Sequence, residues 1–102
     1  MVRHSVYFWL DPALSDEQKQ QFEGGLRALF EIDVVQHGSY GTAAGTPERP
    51  VTENTYDYAL FLEFDSVAGH DAYQVHPDHD VFVQNFRPWF QTVKIFDCEV
   101  AD

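Results

Sequence analysis

The side chains best suited to chemistry lie in the step His76-Pro77-Asp78-His79 and at Tyr73, which precedes His79 by six residues. The pKa of a free imidazole is about 6.5, so His79 can take a proton from a carbon next to a carbonyl group near neutral pH. Tyr73 can donate a hydrogen bond to the carbonyl oxygen. These residue types favour proton transfer on a carbonyl compound, with His79 as general base and Tyr73 holding the substrate.

Two further polar side chains lie on strand faces that could point toward His79 and Tyr73. His4 shares a face of the first predicted strand with Val6, and Asp97 shares a face of the last predicted strand with Ile95. A carboxylate such as Asp97 can orient an imidazole that acts as a base. The competing interpretation is a polar cluster of His4, His79 and Asp97 that only stabilises the interior.

Metal binding is an alternative use of the same imidazoles. The two histidines of the step 76–79 are three residues apart at a predicted helix start, so they can face one way. His4 with Asp80 or Asp97 would complete a ligand set. The step also has a structural use, because a proline begins helices well and Asp78 can cap one. We therefore expect no metal and no cofactor.

The remaining histidines and the lone cysteine are assigned no chemistry. His37 and His70 are interpreted as surface residues. Cys98 is interpreted as a packing residue on the face of the last strand that also carries Lys94 and Phe96, and no adjacent basic residue would activate its thiol. A single cysteine excludes an internal disulfide and suits the reducing cytoplasm.

Composition excludes several classes of protein. The 102 residues include 6 Lys and Arg against 17 Asp and Glu, a formal net charge of −11. A nucleic-acid binder needs a basic stripe, and an anionic membrane surface would repel this chain. No apolar run approaches the roughly 20 residues that span a bilayer, and the N-terminus lacks a signal-peptide pattern. We expect one cytoplasmic domain over residues 1–102 that binds neither nucleic acid nor membrane.

Strand and helix patterns alternate along the chain. Ser15 with Gln18 forms a capping box before the first helix, and Gly24-Gly25 within that helix predicts close packing against a neighbour. An exposed, mobile loop is predicted over 42–54. Strands are predicted over 2–10, 33–41, 56–64 and 91–100, with helices over about 16–30, 67–75 and 79–87.

This element order is that of an α+β, ferredoxin-like split βαβ fold, with a four-stranded antiparallel sheet and helices on one face. The order does not require the first and last strands to be neighbours. The second sheet face is also apolar, with Phe61 among its residues, and no element remains to cover it. A second copy is therefore predicted to pack against it about a two-fold axis. Arg3 and Lys94 should pair there with Asp57 and Glu63.

Together these features resemble the stress-responsive dimeric α/β-barrel (Dabb) family over residues 2–100. The resemblance implies a homodimer whose two sheets face each other as a barrel, with a pocket under the helices. It rests on His4, Phe64-Asp65-Ser66, Tyr73, His76-Pro77-Asp78-His79, Trp89-Phe90 and Ile95-Phe96-Asp97.

Some plant members of that family are cyclases that perform an intramolecular aldol condensation on a linear polyketide. By resemblance, His79 matches their catalytic base, Tyr73 matches the tyrosine that holds the substrate, and His4 matches the histidine on their first strand. A further pocket histidine of the cyclases is replaced by Tyr58. Small monooxygenases that act on aromatic substrates without bound metal or flavin share the fold.

Three functions stay open at this point. The first is a homodimeric Dabb protein with a small apolar pocket and an undefined biochemical role. The second is a cofactor-independent cyclase or isomerase, and the third is a small monooxygenase of aromatic substrates. Any cavity among the aromatic residues should favour an apolar or aromatic ligand. The expected lining residues are Phe8, Phe22, Leu26, Tyr58, Leu60, Phe82, Trp89 and Ile95.

Overall fold

The computed structural model describes residues 1–101, which form a four-stranded antiparallel sheet with three α-helices on one face. The strands lie in the order β2-β3-β1-β4. This architecture confirms the predicted α+β, ferredoxin-like class. The elements are β1 (Val2–Leu10), α1 (Asp16–Leu29), β2 (His37–Gly41), β3 (Tyr58–Phe64), α2 (Val67–Gln74), α3 (Pro77–Phe86) and β4 (Phe90–Glu99), with a 3₁₀ turn at Arg87–Trp89.

Helix α1 begins at the predicted capping box. The Ser15 hydroxyl accepts a hydrogen bond from the Gln18 backbone N–H at 3.1 Å, and the Gln18 side chain accepts one from the Ser15 N–H at 2.8 Å. Two of the N–H groups that a helix start leaves unpaired are thereby satisfied. Phe22, Leu26 and Leu29 then recur at helical spacing and are buried against the sheet.

The two glycines of α1 differ in their surroundings. A Cβ atom at Gly25 would overlap the buried ring of Phe86, so α1 and α3 approach each other at this point. A Cβ at Gly24 would meet only Arg27 Nη2, at 3.9 Å. The packing interpretation therefore holds for Gly25 alone.

The start of α3 differs from the prediction. Its N-cap is His76, whose Nδ1 accepts a hydrogen bond from the Asp78 backbone N–H at 3.0 Å, and Pro77 is the first helical residue. The prediction that Asp78 caps a helix starting at His79 was wrong. A residue before proline is held in an extended conformation, so the helix starts at Pro77 itself.

The second strand is shorter than the predicted 33–41. The Val35 N–H bonds to the carbonyl of buried Ile32 at 2.9 Å, which makes residues 32–35 a turn that anchors the end of α1 in the core. The loop 42–54 has no helix or strand and is mostly exposed, as expected. None of the helices in residues 1–101 has the length and apolar character needed to cross a lipid bilayer.

Strands β1 and β4 are neighbours, which the element order left open. In their antiparallel register His4 lies opposite Asp97, and Val6 lies opposite Ile95. Opposed residues of adjacent strands project from the same sheet face. The residues of β1 with even numbers are buried under the helices, whereas those with odd numbers face the other side. The parity assigned to His4 and Asp97 is thereby confirmed.

The other side of the sheet, called the open face below, carries both aromatic and charged residues. Arg3 Nη2 lies 3.0 Å from Glu63 Oε2, so that expected ion pair is present within the chain. Lys94 instead lies over the Trp9 indole, with its Nζ 5.5 Å from the ring centroid. The residues of the open face include Arg3, Ser5, Tyr7, Trp9, Phe61, Glu63, Lys94, Phe96 and Cys98.

Candidate functional site

A cavity of about 180 Å³ lies between the helices and the covered face of the sheet. Four of the predicted lining residues border it, namely Phe8, Leu60, Phe82 and Ile95. Its polar groups come from His4, Tyr73, Gln74 and His79, which stand among mostly apolar neighbours. The lining residues not predicted from sequence are Val6, Leu29, Gln74, Val83, Phe90 and Val93.

The other four predicted lining residues lie elsewhere. Phe22 and Leu26 are fully buried in the core between α1 and the sheet. The Tyr58 hydroxyl donates a hydrogen bond to Glu23 at 2.6 Å on α1, away from the cavity. The Trp89 ring packs against Phe86, with 5.1 Å between the ring centroids. Apolar character predicted burial for these residues, but only the helix packing determines which of them border empty space.

His79 and Tyr73 meet at the cavity wall. Their ring centroids are 4.8 Å apart and the rings are inclined at 69°. The Nδ1 atom of His79 is buried and has no hydrogen-bond partner among residues 1–101. Burial lowers the pKa of His79. The Asp80 carboxylate acts in the opposite direction, and the nearby imidazoles of His4 and His70 lower the pKa further. His79 is therefore neutral at pH 7 and can accept a proton.

Tyr73 keeps its proton. Its side chain is only 2% exposed, and this burial raises the pKa of the hydroxyl well above its ordinary value of 10. A buried phenol disfavours the charged phenolate form because the surrounding medium cannot solvate it. The hydroxyl of Tyr73 is thus a hydrogen-bond donor throughout the neutral pH range.

His4 is held by Asp97. The Nδ1 atom of His4 lies 2.5 Å from Asp97 Oδ1, across the register pair of β1 and β4. His4 is 2% exposed, and this burial lowers its pKa although Asp97 acts in the opposite direction. The His4 ring also lies edge-on to Tyr73, at 5.9 Å between centroids. The structure therefore brings the four predicted site residues together, three on the cavity wall and Asp97 behind His4.

His70 belongs to the same neighbourhood, so its prediction as a surface residue was wrong. Its side chain is 19% exposed, and its ring lies 5.0 Å from the ring of His4. Its Nε2 is 3.9 Å from Asp97 Oδ2, and its Nδ1 is 3.1 Å from Asp71 Oδ1. The signal was its spacing on α2, since His70 precedes buried Tyr73 by three residues and shares its helix face.

The comparisons with known proteins identify the family. This fold is the α+β, ferredoxin-like class described above. A family model described as the Stress responsive A/B Barrel Domain, Dabb, matches residues 2–100. The chain belongs to the Dabb family. Among curated protein sequences none matches this chain.

Solved structures share the fold over nearly the whole chain. A dimeric ferredoxin-like protein of unknown function from Thermobifida fusca is 23% identical, with a TM-score of 0.80 over 97% of this chain and 90% of that one. A Dabb family protein from Mesorhizobium loti is 24% identical, with a TM-score of 0.79 over 99% and 97%. A hydroxynitrile lyase from Passiflora edulis is 21% identical, with a TM-score of 0.83 over 99% and 94%. At these identities the likeness shows the fold alone.

Proposed function

We propose that this protein is a homodimeric enzyme that binds a small, mainly apolar carbonyl compound in the cavity and moves a proton on it without a cofactor. The observation that carries this proposal is the neutral, partly buried imidazole of His79 beside the protonated hydroxyl of Tyr73, on the wall of a mostly apolar cavity. A base and a hydrogen-bond donor that meet on one cavity are the parts that enolisation of a carbonyl compound requires.

The reaction begins when His79 accepts a proton from the carbon next to the carbonyl group. The electron pair of the broken C–H bond moves into the new C–C double bond, and negative charge develops on the oxygen. The Tyr73 hydroxyl donates a hydrogen bond to that oxygen and stabilises the charge. Return of the proton from His79 to another carbon isomerises the compound. In the aldol branch the enolate carbon attacks a second carbonyl carbon, the C=O π electrons move onto its oxygen, and that alkoxide takes the proton from His79.

His4 and Asp97 position this pair. The hydrogen bond between His4 Nδ1 and Asp97 orients the His4 ring, which lies edge-on to Tyr73. A fixed His4 ring restricts where the Tyr73 ring can move, and Tyr73 in turn contacts His79. We therefore assign His4 and Asp97 as positioning residues and His79 and Tyr73 as catalytic residues.

The size of the cavity limits the substrate. Its volume of about 180 Å³ is below the roughly 300–1,000 Å³ of pockets that enclose drug-sized ligands. The wall formed by β4 is open, because Val93 and Ile95 are 37% and 53% exposed. The cavity therefore suits a compact carbonyl compound, and a longer one would extend outward past β4.

The exposed aromatic residues of the open face support the proposed homodimer. This face has a shallow groove of about 490 Å³ lined by Tyr7, Trp9, Glu53, Tyr56, Lys94 and Phe96. Phe96 is 61% exposed, although exposing an aromatic ring to water is unfavourable in free energy. The Thermobifida fusca relative is described as dimeric. A second copy placed sheet against sheet would bury these aromatic residues and complete the barrel.

The experiment is proton exchange in D₂O. Small ketones and aldehydes are incubated with the chain, and NMR follows the loss of the proton next to the carbonyl group. We expect His79→Gln to lower the exchange rate by about 100-fold or more and Tyr73→Phe by a smaller factor, with both chains folded by circular dichroism. Val81→Ala, on the exposed side of α3, is the control, and it should exchange protons at the rate of the unchanged chain.

Two results would contradict the proposal. Exchange that is unaffected by His79→Gln would show that the base lies elsewhere. No exchange by the unchanged chain across the panel would favour the alternative of a cavity that binds a ligand without reaction. The monooxygenase alternative, the cytoplasmic location and the assignment of residues 1–102 to one domain stay predictions.

A further inference from the structure

The side chains of His4, His70 and Asp97 converge beside the cavity from three different elements. His4 is on β1, Asp97 is its register partner on β4, and His70 is on α2 above them. Each residue offers one ligand atom, and these atoms all lie within 4.8 Å of one another. We propose that this trio is a binding site for a divalent transition-metal ion of the Zn²⁺ type.

The donor atoms suit such an ion. Two imidazole nitrogens and one carboxylate oxygen form a set that Zn²⁺ takes in sites with an open coordination position, whereas Mg²⁺ and Ca²⁺ prefer oxygen alone. Asp97 supplies one negative charge, so an ion of charge +2 would be partly neutralised at the site. The formal charge of −11 on the chain further favours a cation over an anion at this place.

The spacing of the donors is close to what a metal requires. Bonds of about 2.0–2.2 Å place the donors of a tetrahedral zinc site about 3.4 Å apart. His70 Nε2 lies 3.9 Å from Asp97 Oδ2, and His4 Nδ1 lies 2.5 Å from Asp97 Oδ1. The His70–Asp97 pair must therefore close slightly, and the His4–Asp97 pair must open by about 1 Å. The Asp97 carboxylate has room to make that adjustment, because its side chain is 45% exposed on an edge strand.

His70 is oriented for ligation by a residue outside the trio. Its Nδ1 lies 3.1 Å from Asp71 Oδ1, at the opposite side of the ring from the Nε2 that approaches Asp97. A carboxylate that accepts the Nδ1 proton selects the tautomer whose Nε2 lone pair is free for a metal. Metal-ligating histidines almost always donate their other ring N–H to an acceptor of this kind, which is a carboxylate, a backbone carbonyl or a water. The sequence did not predict it, because His70 was assigned to the surface.

The site also has an open side. Asp97 is partly exposed, so water or another small ligand can reach an ion held by the trio. His4 borders the cavity as well, so the ion would lie at the cavity's edge rather than remote from it. The trio shares His4 and Asp97 with the residues that position Tyr73, but it includes neither catalytic residue, and proton transfer by His79 and Tyr73 needs no metal.

The test uses the full chain, stripped with EDTA and then dialysed. Zn²⁺ alone is titrated by calorimetry, and Co²⁺ alone is followed by its visible absorption. We expect one ion per chain and a Co²⁺ spectrum of a site containing nitrogen donors. His70→Gln should weaken Zn²⁺ binding by about 100-fold or more, and Asp71→Asn by about 10-fold, since an outer partner contributes less than a ligand.

Controls separate the trio from other histidines. Asp97→Asn, at an exposed position on the edge strand, should weaken Zn²⁺ binding as His70→Gln does, and it replaces His70→Gln as the test if that variant folds poorly. His37→Gln and His79→Gln should bind Zn²⁺ like the unchanged chain. The proposal is overturned if Asp97→Asn and His70→Gln both bind Zn²⁺ as tightly as the unchanged chain, or if that chain binds none. Proton exchange by the EDTA-stripped chain reports separately on His79, so the two proposals fail independently.

Discussion

His4 and Asp97 face each other across β1 and β4, and their side chains meet at 2.5 Å on the helix side of the sheet. His4 is almost fully buried, whereas Asp97 stands on a strand whose residues are mostly exposed. This pair links the edge strand to the covered interior through a side-chain contact in addition to the backbone ladder. It also fixes the wall of the cavity, because Val93 and Ile95 precede Asp97 on the same face of β4 and line the cavity.

Replacing Asp97 with Asn should destabilise the chain. The amide keeps the size of the carboxylate but loses its charge, and a hydrogen bond to a charged group is stronger than a neutral one. We expect a loss of about 1 kcal/mol in the free energy of unfolding, since the half-exposed side chain limits the effect. Urea unfolding in EDTA measures it. Asp65→Asn, at an exposed position outside the site, should change stability by less than about 0.5 kcal/mol.

The two glycines of α1 should respond in opposite directions to alanine. Gly25→Ala places a methyl group against the buried ring of Phe86 and should cost about 1–3 kcal/mol of unfolding free energy. Gly24→Ala meets no close atom and should stabilise the chain by about 0.5–1 kcal/mol, because alanine favours helix more than glycine does. Thermal unfolding of both variants is the measurement. Equal shifts in the two variants would contradict the close approach of α1 and α3.

His79 should titrate below the ordinary imidazole pKa of 6.5. Burial lowers its pKa in the folded chain, so the unfolded chain binds the proton more readily. The stabilising effect of neutral, folded His79 is therefore fully present above pH 6.5 and is lost as the pH falls through the lowered folded value. NMR titration of the EDTA-treated chain gives the pKa directly. His79→Gln should reduce the dependence of unfolding free energy on pH below 6.5, and an unchanged dependence would contradict the burial of the ring.

Phe61→Asp should dissociate the proposed homodimer. Phe61 lies on the open face beside Tyr7, at 6.2 Å between ring centroids, and a carboxylate there would have to be buried without a partner. Sedimentation at micromolar concentration should show the unchanged chain as a dimer and the variant as a monomer or an aggregate. Val81→Asp, on the exposed side of α3, should stay a dimer. A stable monomer of the unchanged chain would contradict sheet-to-sheet pairing.

The local elements follow largely from local sequence. The capping box of Ser15 and Gln18 starts α1, and the Ser66 hydroxyl caps α2 by accepting a hydrogen bond from the Gly69 N–H. The alternation of side chains along β1 is enough to place His4 on the same face as Val6, and that face is the buried one. These features are predictable because each depends on residues within a few positions, whose spacing matches one helical turn or one strand repeat.

The convergence of the site required the tertiary structure. Parity places His4 and Asp97 on the covered face, but only the β1–β4 register brings them into contact, because antiparallel strands of distant sequence can pair in several registers. His70 was misassigned for a related reason, since its burial comes from the distant residues His4 and Phe64. The cavity likewise depends on how α3 rests on the sheet. By itself the sequence determined the elements, their order and which strand residues share a face. Helix docking and strand register decided which residues form one site, because these contacts join segments far apart in the chain.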